Sequence, residues 1–280
     1  MLTRRPLLIA PLAVLASLPT AGSAVAQQRR SLADPLRLGV DSALSDSGLA
    51  RALQQAFARD TGVAVLLVRQ PALAMLEALE RGELDAGLCN APDAETRLDA
   101  QGLVHDRQPI ARGEFVIVGP GGGGGKGGNP ARIGGLHDAA QALQRLRDAA
   151  LAAPGTITFL SVNDGSGAHV AEQALWRAAK VAPGAPWFVN LAPSAAAPGA
   201  TLIAQARARG AYALVERGDW VAHGGSPLAV LVDGDPALVE AVHVMRSFRV
   251  AHPAGKLFVA WIASAKGRRV AAGVRGYRAP

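Results

Sequence analysis

Apolar positions along the chain switch repeatedly between a spacing of two or less and a spacing of three to four. Leu36 to Val40 is a short apolar stretch that reads as a strand. Leu49, Leu53, Ala56 and Phe57 then recur at helical spacing, with Ser45-Asp46-Ser47 offering cap side chains before them and Thr61-Gly62 stopping them. Val63 to Val68 is β-branched and aliphatic. Pro71 opens a second helix carrying Leu73, Leu76 and Leu79, which ends at Arg81-Gly82, and Leu84 to Leu88 is a third short strand. This rhythm predicts an α/β fold with mainly parallel sheets and helices on both faces.

The pattern resumes further on. Phe115 to Val118 reads as a strand stopped by Gly119-Pro120, and Gly121 to Gly128 is a glycine run broken by Lys126. A phosphate-binding loop needs Ser or Thr after its Lys and a helix beyond it; Gly127, Gly128, Asn129 and Pro130 follow here, so a surface loop is expected. Next come a helix over 137–152, a strand over 156–160, a polar loop over 161–167, a helix over 168–180 and another over 199–209. Strands are expected at 228–232 and 242–250, and helices at 255–264 and 266–272. Two α/β halves of this size suggest a bilobal clamp whose chain leaves the first lobe near Arg112 and returns near Val242. The expected division is lobe I over 34–112 plus 246–280 and lobe II over 113–245, joined by a two-crossover hinge.

The N-terminus changes the setting of that clamp. Thr3-Arg4-Arg5, an apolar run from Leu7 to Leu18 and the small-x-small Ala24-Val25-Ala26 have the form of a cleavable export signal over 1–26. The run of about 12 residues is too short for a membrane span, which needs about 20. Periplasmic export is expected, by the general route or, given the paired arginines, the twin-arginine route.

The chain has 280 residues and a formal net charge of +7. Its basic residues form no dense patch and only 4% of residues are aromatic, which argues against a nucleic-acid binder and leaves a small anionic ligand or a membrane surface as partners. The single cysteine, Cys89, forms no internal disulfide and reads as a buried small residue. The six histidines show no metal-ligand spacing, so neither metal nor cofactor is expected. Asp164, Ser166 and His169 fall within about one helical turn, which is poor geometry for a hydrolytic triad, and a helix cap is the expected role; no enzymatic activity is expected. Trp176, Trp187, Trp220 and Trp261 are scattered and read as packing residues.

From Leu36 onward the chain resembles the tungstate-binding proteins of bacterial ABC importers, which have the bilobal type II periplasmic binding protein fold. The family's first signature, T-T-T-S-T-x-D-S-G-L, is matched in its second half by Ser45-Asp46-Ser47-Gly48-Leu49, preceded here by Asp41-Ser42-Ala43-Leu44. Its second ligand loop, R-G-D-x-S-G-T-H, corresponds to Val162-Asn163-Asp164-Gly165-Ser166-Gly167-Ala168-His169. Phe115-Val116-Ile117-Val118-Gly119-Pro120, Gly199-Ala200-Thr201-Leu202, Glu216-Arg217-Gly218 and Phe258-Val259-Ala260-Trp261 follow in family order. The resemblance implies a solute-binding component that captures tungstate, molybdate or another small oxyanion and delivers it to an inner-membrane permease, working as a monomer.

Such a site needs hydrogen-bond donors at loop-to-helix junctions, completed by hydroxyls. The ligand-binding residues expected on this basis are Asp41, Ser42, Ser45, Arg112, Asp164, Ser166, Ala168 and Thr201. The departures matter. Val162 replaces the family Arg, Ala168 replaces its Thr, and Asp41 brings an acid where an anion should sit. At low dielectric an ionised Asp beside a dianion costs several kcal/mol unless neutralised. Arg112, near the crossover, is the candidate for that neutralisation. A neutral or cationic ligand, and a sensory module that no longer transports, stay open as alternatives.

Overall fold

The computed structural model describes residues 28–29, 31–121, 128–192 and 198–280, so the expected export segment and most of the glycine run lie outside the described residues. In chain order the first half comprises β1 (Gln28–Arg29), β2 (Leu36–Asp41), α1 (Ser42–Asp46), α2 (Leu49–Thr61), β3 (Val65–Gln70), α3 (Ala72–Arg81), β4 (Ala86–Cys89), α4 (Pro92–Ala100) and β5 (Val104–Pro120). The second comprises α5 (Ala139–Ala152), β6 (Phe159–Ser161), α6 (Gly167–Ala178), β7 (Phe188–Asn190), α7 (Pro198–Arg209), β8 (Tyr212–Glu216), α8 (Arg217–His223) and β9 (Leu228–Val232). The chain then returns through β10 (Val239–Ser247), β11 (Val250–Ala251), α9 (Pro253–Ile262) and α10 (Ala265–Ala272).

The helix stops are where the sequence puts them. Gly62 and Gly82 take the left-handed conformation at the C-caps of α2 and α3, with φ of 72° and 77°. β2, β3 and β4 are parallel, and β10 joins β4 antiparallel before pairing with β5. In the second half β6, β7 and β8 are parallel, and β8 and β9 both pair with β5 antiparallel. Each sheet therefore carries one antiparallel partner among mainly parallel strands.

β5 belongs to both sheets. From Val104 to Glu114 it pairs with β10; from Phe115 to Val118 it pairs with β8. Past that switch its alternation is strict: Phe115 and Ile117 enter one core of the second lobe, and Val116 and Val118 enter the core on the opposite face. The first lobe has two cores of its own, one around Leu38, Leu53, Phe57 and Phe258 and one around Met75, Leu79 and Cys89. Trp176 and Trp187 are buried in the second lobe's core beside Phe159 and Phe188.

Three expectations need correction. The strand at Phe115–Val118 is the end of a strand that begins at Val104. Its first half reads as loop because His105, Asp106, Arg107, Gln108 and Pro109 are polar or helix-breaking, which suits one free edge of the first sheet. No helix is expected over α4, where charge, not apolar spacing, dominates; its Glu95 is buried on Arg107 and His243. Finally, β10 starts at Val239, paired with Glu114, and its His243 to Arg246 pair with β4. Residues 239–246 thus pair within the first sheet, and the strand starts before the apolar stretch that marked it in sequence.

Candidate functional site

Two loop-to-helix junctions, one from each lobe, meet between the sheets. At the first, β2 runs into α1 through Asp41, which is fully buried. One carboxylate oxygen, Oδ1, accepts the Ala43 N–H at 3.0 Å and caps α1. The other, Oδ2, accepts the N–H of Gly167 at 3.2 Å, across the gap at the start of α6. At the second junction Ser166 caps α6, its Oγ accepting the His169 N–H at 3.4 Å. Asp164 Oδ1 in turn accepts the Ser166 N–H at 2.9 Å. A second link between the lobes runs from the Leu73 N–H, in the first turn of α3, to the Gly165 carbonyl at 3.1 Å.

Glycine at 167 is what lets the junctions approach. A Cβ there would sit 1.9 Å from Asn90 Oδ1, a residue of the first lobe that is itself 2% exposed. Asn90 also ties the hinge together: its amide donates to Glu216 Oε1 at 3.1 Å, at the end of β8, and to Glu240 Oε1 at 2.9 Å, at the start of β10.

Beside the junctions lies a cavity of about 310 Å³ walled by Ser42, Arg69, Gln70, Pro71, Val162, Asn163, Asp164, Leu191, Ala192 and Thr201. A smaller space of about 20 Å³ behind it is lined by Ser42, Ala43, Ser166, Ala168, Gly199, Glu216 and Asp219, among others. It has room for a single water-sized group. Of the sequence-derived residues, Ser42, Asp164 and Thr201 reach the larger cavity, and Ser42, Ser166 and Ala168 reach the smaller. Asp41 lies at the junction itself. Ser45 is in α1 and lines neither space.

Arg112 lines neither space as well. It is exposed on β5, where its backbone pairs with Ala241 and Arg278. The guanidinium at the cavity is that of Arg69, which holds Asp46 in a fork at 2.9 and 2.7 Å. Arg69 carries a sequence signal: it stands one residue before the C-terminal end of a parallel strand, three residues before the next helix.

The electrostatics of the junction are carboxyl-rich. Burial pushes the Asp41 carboxyl up to about 6, with the amides of Ala43 and Gly167 pulling against it and Asp164 adding to it. Burial likewise lifts Asp219 to about 7 and Glu240 to about 8, and holds Glu216 well above the ordinary range. Among the described residues, Glu216 Oε2 and Asp219 Oδ1 are buried without a hydrogen-bond partner. These acids lie far from Asp41 in sequence, and no local motif announces them.

Asp164, Ser166 and His169 serve backbone amides around the α6 cap. Ser166 Oγ serves the His169 amide, His169 Nδ1 accepts the Gly165 amide at 3.0 Å, and Asp164 serves the Ser166 amide. Cys89 is buried, and burial raises its thiol well above the ordinary value, as for an inert core residue. Among the described residues no group of His, Cys, Asp and Glu could hold a metal ion, and no helix is long and apolar enough to cross a membrane.

Against known families, residues 20–266 match the PBP superfamily domain. The chain belongs to the PBP superfamily. The tungstate ABC transporter structure from Geobacter sulfurreducens superposes on this PBP superfamily member with a TM-score of 0.69 at 27% identity, covering 88% of this chain and 99% of that one. The tungstate-binding protein TupA of Peptoclostridium acidaminophilum is 25% identical over 237 residues, 82% of this chain and 77% of TupA. A Haloferax volcanii protein, named as a candidate anion-binding protein of an ABC transporter, is 32% identical over 187 residues. That match takes in 67% of this chain but spans only 50% of the Haloferax protein. The fold is accordingly that of the type II periplasmic binding proteins, and the resemblance to the tungstate-binding family holds.

Proposed function

We propose that this protein is the solute-binding component of an ABC importer, exported to the periplasm, where it closes two lobes on a small oxyanion such as tungstate or molybdate and presents it to an inner-membrane permease. One observation carries the reading: amides from opposite lobes, those of Ala43 and Gly167, converge on a single carboxylate. A donor pair that holds one anion between two lobes has the form a closing anion trap requires. The names of the TupA and Haloferax relatives support the same ligand class. Ser42 and Thr201 line the cavity, and their hydroxyls support this reading as further donors.

Titration calorimetry and thermal shift with tungstate, molybdate, sulfate and phosphate test this. An oxyanion at 100 times its dissociation constant adds about 2.7 kcal/mol to stability. A panel in which no oxyanion shifts the melting curve rejects the anion reading. A neutral or cationic solute is the second reading, favoured by the acids at the cleft and by the engagement of Arg69 with Asp46. It predicts stabilisation by polyols or amines and none by oxyanions.

A further inference from the structure

Asp41 does more than cap α1. Its two carboxylate oxygens hold the two amides on which the oxyanion reading rests, and the side chain is wholly removed from solvent. An incoming tetrahedral anion and an ionised Asp41 therefore compete for the same donors. The groups facing Asp41 do nothing to relieve that conflict. From the loop before α6 comes Asp164; from β8, Glu216; from α8, Asp219; from β10, Glu240; from β4, the neutral thiol of Cys89. The cation that feels Asp41 is Arg69 of β3, and its fork is engaged by Asp46.

The space beside the two amides carries an independent mark. Ser42, Ala43, Ser166, Glu216 and Asp219 share the cavity of about 20 Å³, into whose lining Glu216 and Asp219 each bring a buried oxygen without a partner. Those orphaned acceptors ask for a donor such as a proton or a hydroxyl, and a second anion would leave them unsatisfied.

We propose, on the oxyanion reading above, that Asp41 is a tethered anion occupying the ligand's place, and that capture of an oxyanion requires Asp41 to give up its charge by taking a proton from solvent. The ligand then brings negative charge in as Asp41 loses its own, so the charge at the two amides rises less than the ligand alone would add. Neutral Asp41, freed from Ala43 and Gly167, is itself a hydrogen-bond donor to the bound anion. The coupling is a property of the carboxylate at position 41, which holds both amides. Burial sets the Asp41 carboxyl at about 6, which places the transition between mildly acid and neutral conditions.

The test is molybdate titration by calorimetry at pH 6 and pH 8, in buffers of different ionisation enthalpy, on the natural chain and on Asp41→Thr and Asp41→Asn, with circular dichroism confirming the fold of each. The expected result for the natural chain is binding about 50-fold weaker at pH 8 than at pH 6, with about half a proton taken up per anion at pH 6 and about one at pH 8, as linkage of a single proton requires. Asp41→Thr is expected to bind at least about tenfold tighter than the natural chain at pH 8, with most of the pH dependence gone. Asp41→Asn, which keeps the shape and removes the charge, follows Asp41→Thr in its pH profile. Equal affinity at both pH values with no gain in either variant overturns the proposal while leaving the oxyanion reading standing. Folded variants and natural chain that all ignore molybdate, and tungstate used in its place, overturn both.

Discussion

The two junctions that meet between the lobes are built alike and equipped differently. Each is a strand end that turns into a helix under a short polar cap, yet the first is capped by a buried carboxylate and the second by a hydroxyl. Ser166 satisfies the His169 amide and leaves the Gly167 amide to face the first lobe; Asp41 satisfies its own helix and reaches across to take that amide too. A cap and an anion use the same end of a helix. A neutral cap leaves the position open to a ligand, whereas a charged cap fills it. The carboxylate of Asp41 thus makes the first junction an occupied one.

The comparison is most easily broken at Gly167. Gly167→Ala puts a methyl against Asn90 and forces the lobes apart. Expected are loss of ligand affinity by about 100-fold or more and an increased radius of gyration in small-angle scattering, with each lobe's circular dichroism intact. An unchanged radius and unchanged affinity would mean that the approach of the junctions is not what closes the cleft.

Next in size is the pH dependence of stability. Asp41, Asp219, Glu240 and Glu172 have carboxyls raised to about 6, 7, 8 and 8, chiefly by burial. The folded state therefore binds their protons more tightly than the unfolded chain does. Their stabilisation is complete below the ordinary carboxylate range and is lost as pH rises through 6 to 8. Burial would raise Glu95 as well, but His243 and Arg107 hold it below its ordinary value, so it contributes in the opposite sense and is lost in acid. A melting temperature lower by about 5 °C or more at pH 8.5 than at pH 5.5, read by scanning calorimetry without ligand, is the expected outcome.

Asn90→Ala removes the donor shared by Glu216 and Glu240. It should cost about 1–3 kcal/mol in urea unfolding, as for a buried polar pair left unsatisfied, and more at pH 8.5 than at pH 5.5. The smallest effect sharpens the junction contrast itself. Ser166→Ala removes an ordinary cap and should cost about 1 kcal/mol at every pH. Asp41→Asn should instead stabilise the free protein at pH 8, because it removes a buried charge.

Much of this architecture was legible in the sequence because it depends on local physics. Alternating periodicities gave the strands and helices, and Gly62 and Gly82 marked helix ends that need a left-handed residue. Both junctions were found as polar loops before helical patterns. What escaped was set by pairing at a distance. The polar half of β5 is a strand because β10 pairs with it, and β10 begins at Val239 because Glu114 lies opposite. The same reason hid part of the site. Arg112 looked central from its place near the crossover but faces out, while Arg69 reaches the cavity from a strand end. The Asn90–Glu216–Glu240 cluster joins residues that only the folded hinge brings together. Asp41 was visible as an acid where an anion should sit; its hold on Gly167 was not.

The most direct test is crystallography of the full chain grown with tungstate near pH 6, with an anomalous map at the tungsten edge. The account predicts a peak at the junction, within hydrogen-bonding distance of the Ala43 and Gly167 amides, with the Asp41 carboxyl turned off them. A peak elsewhere on the molecule, or Asp41 still holding both amides with tungsten bound at the junction, would contradict it.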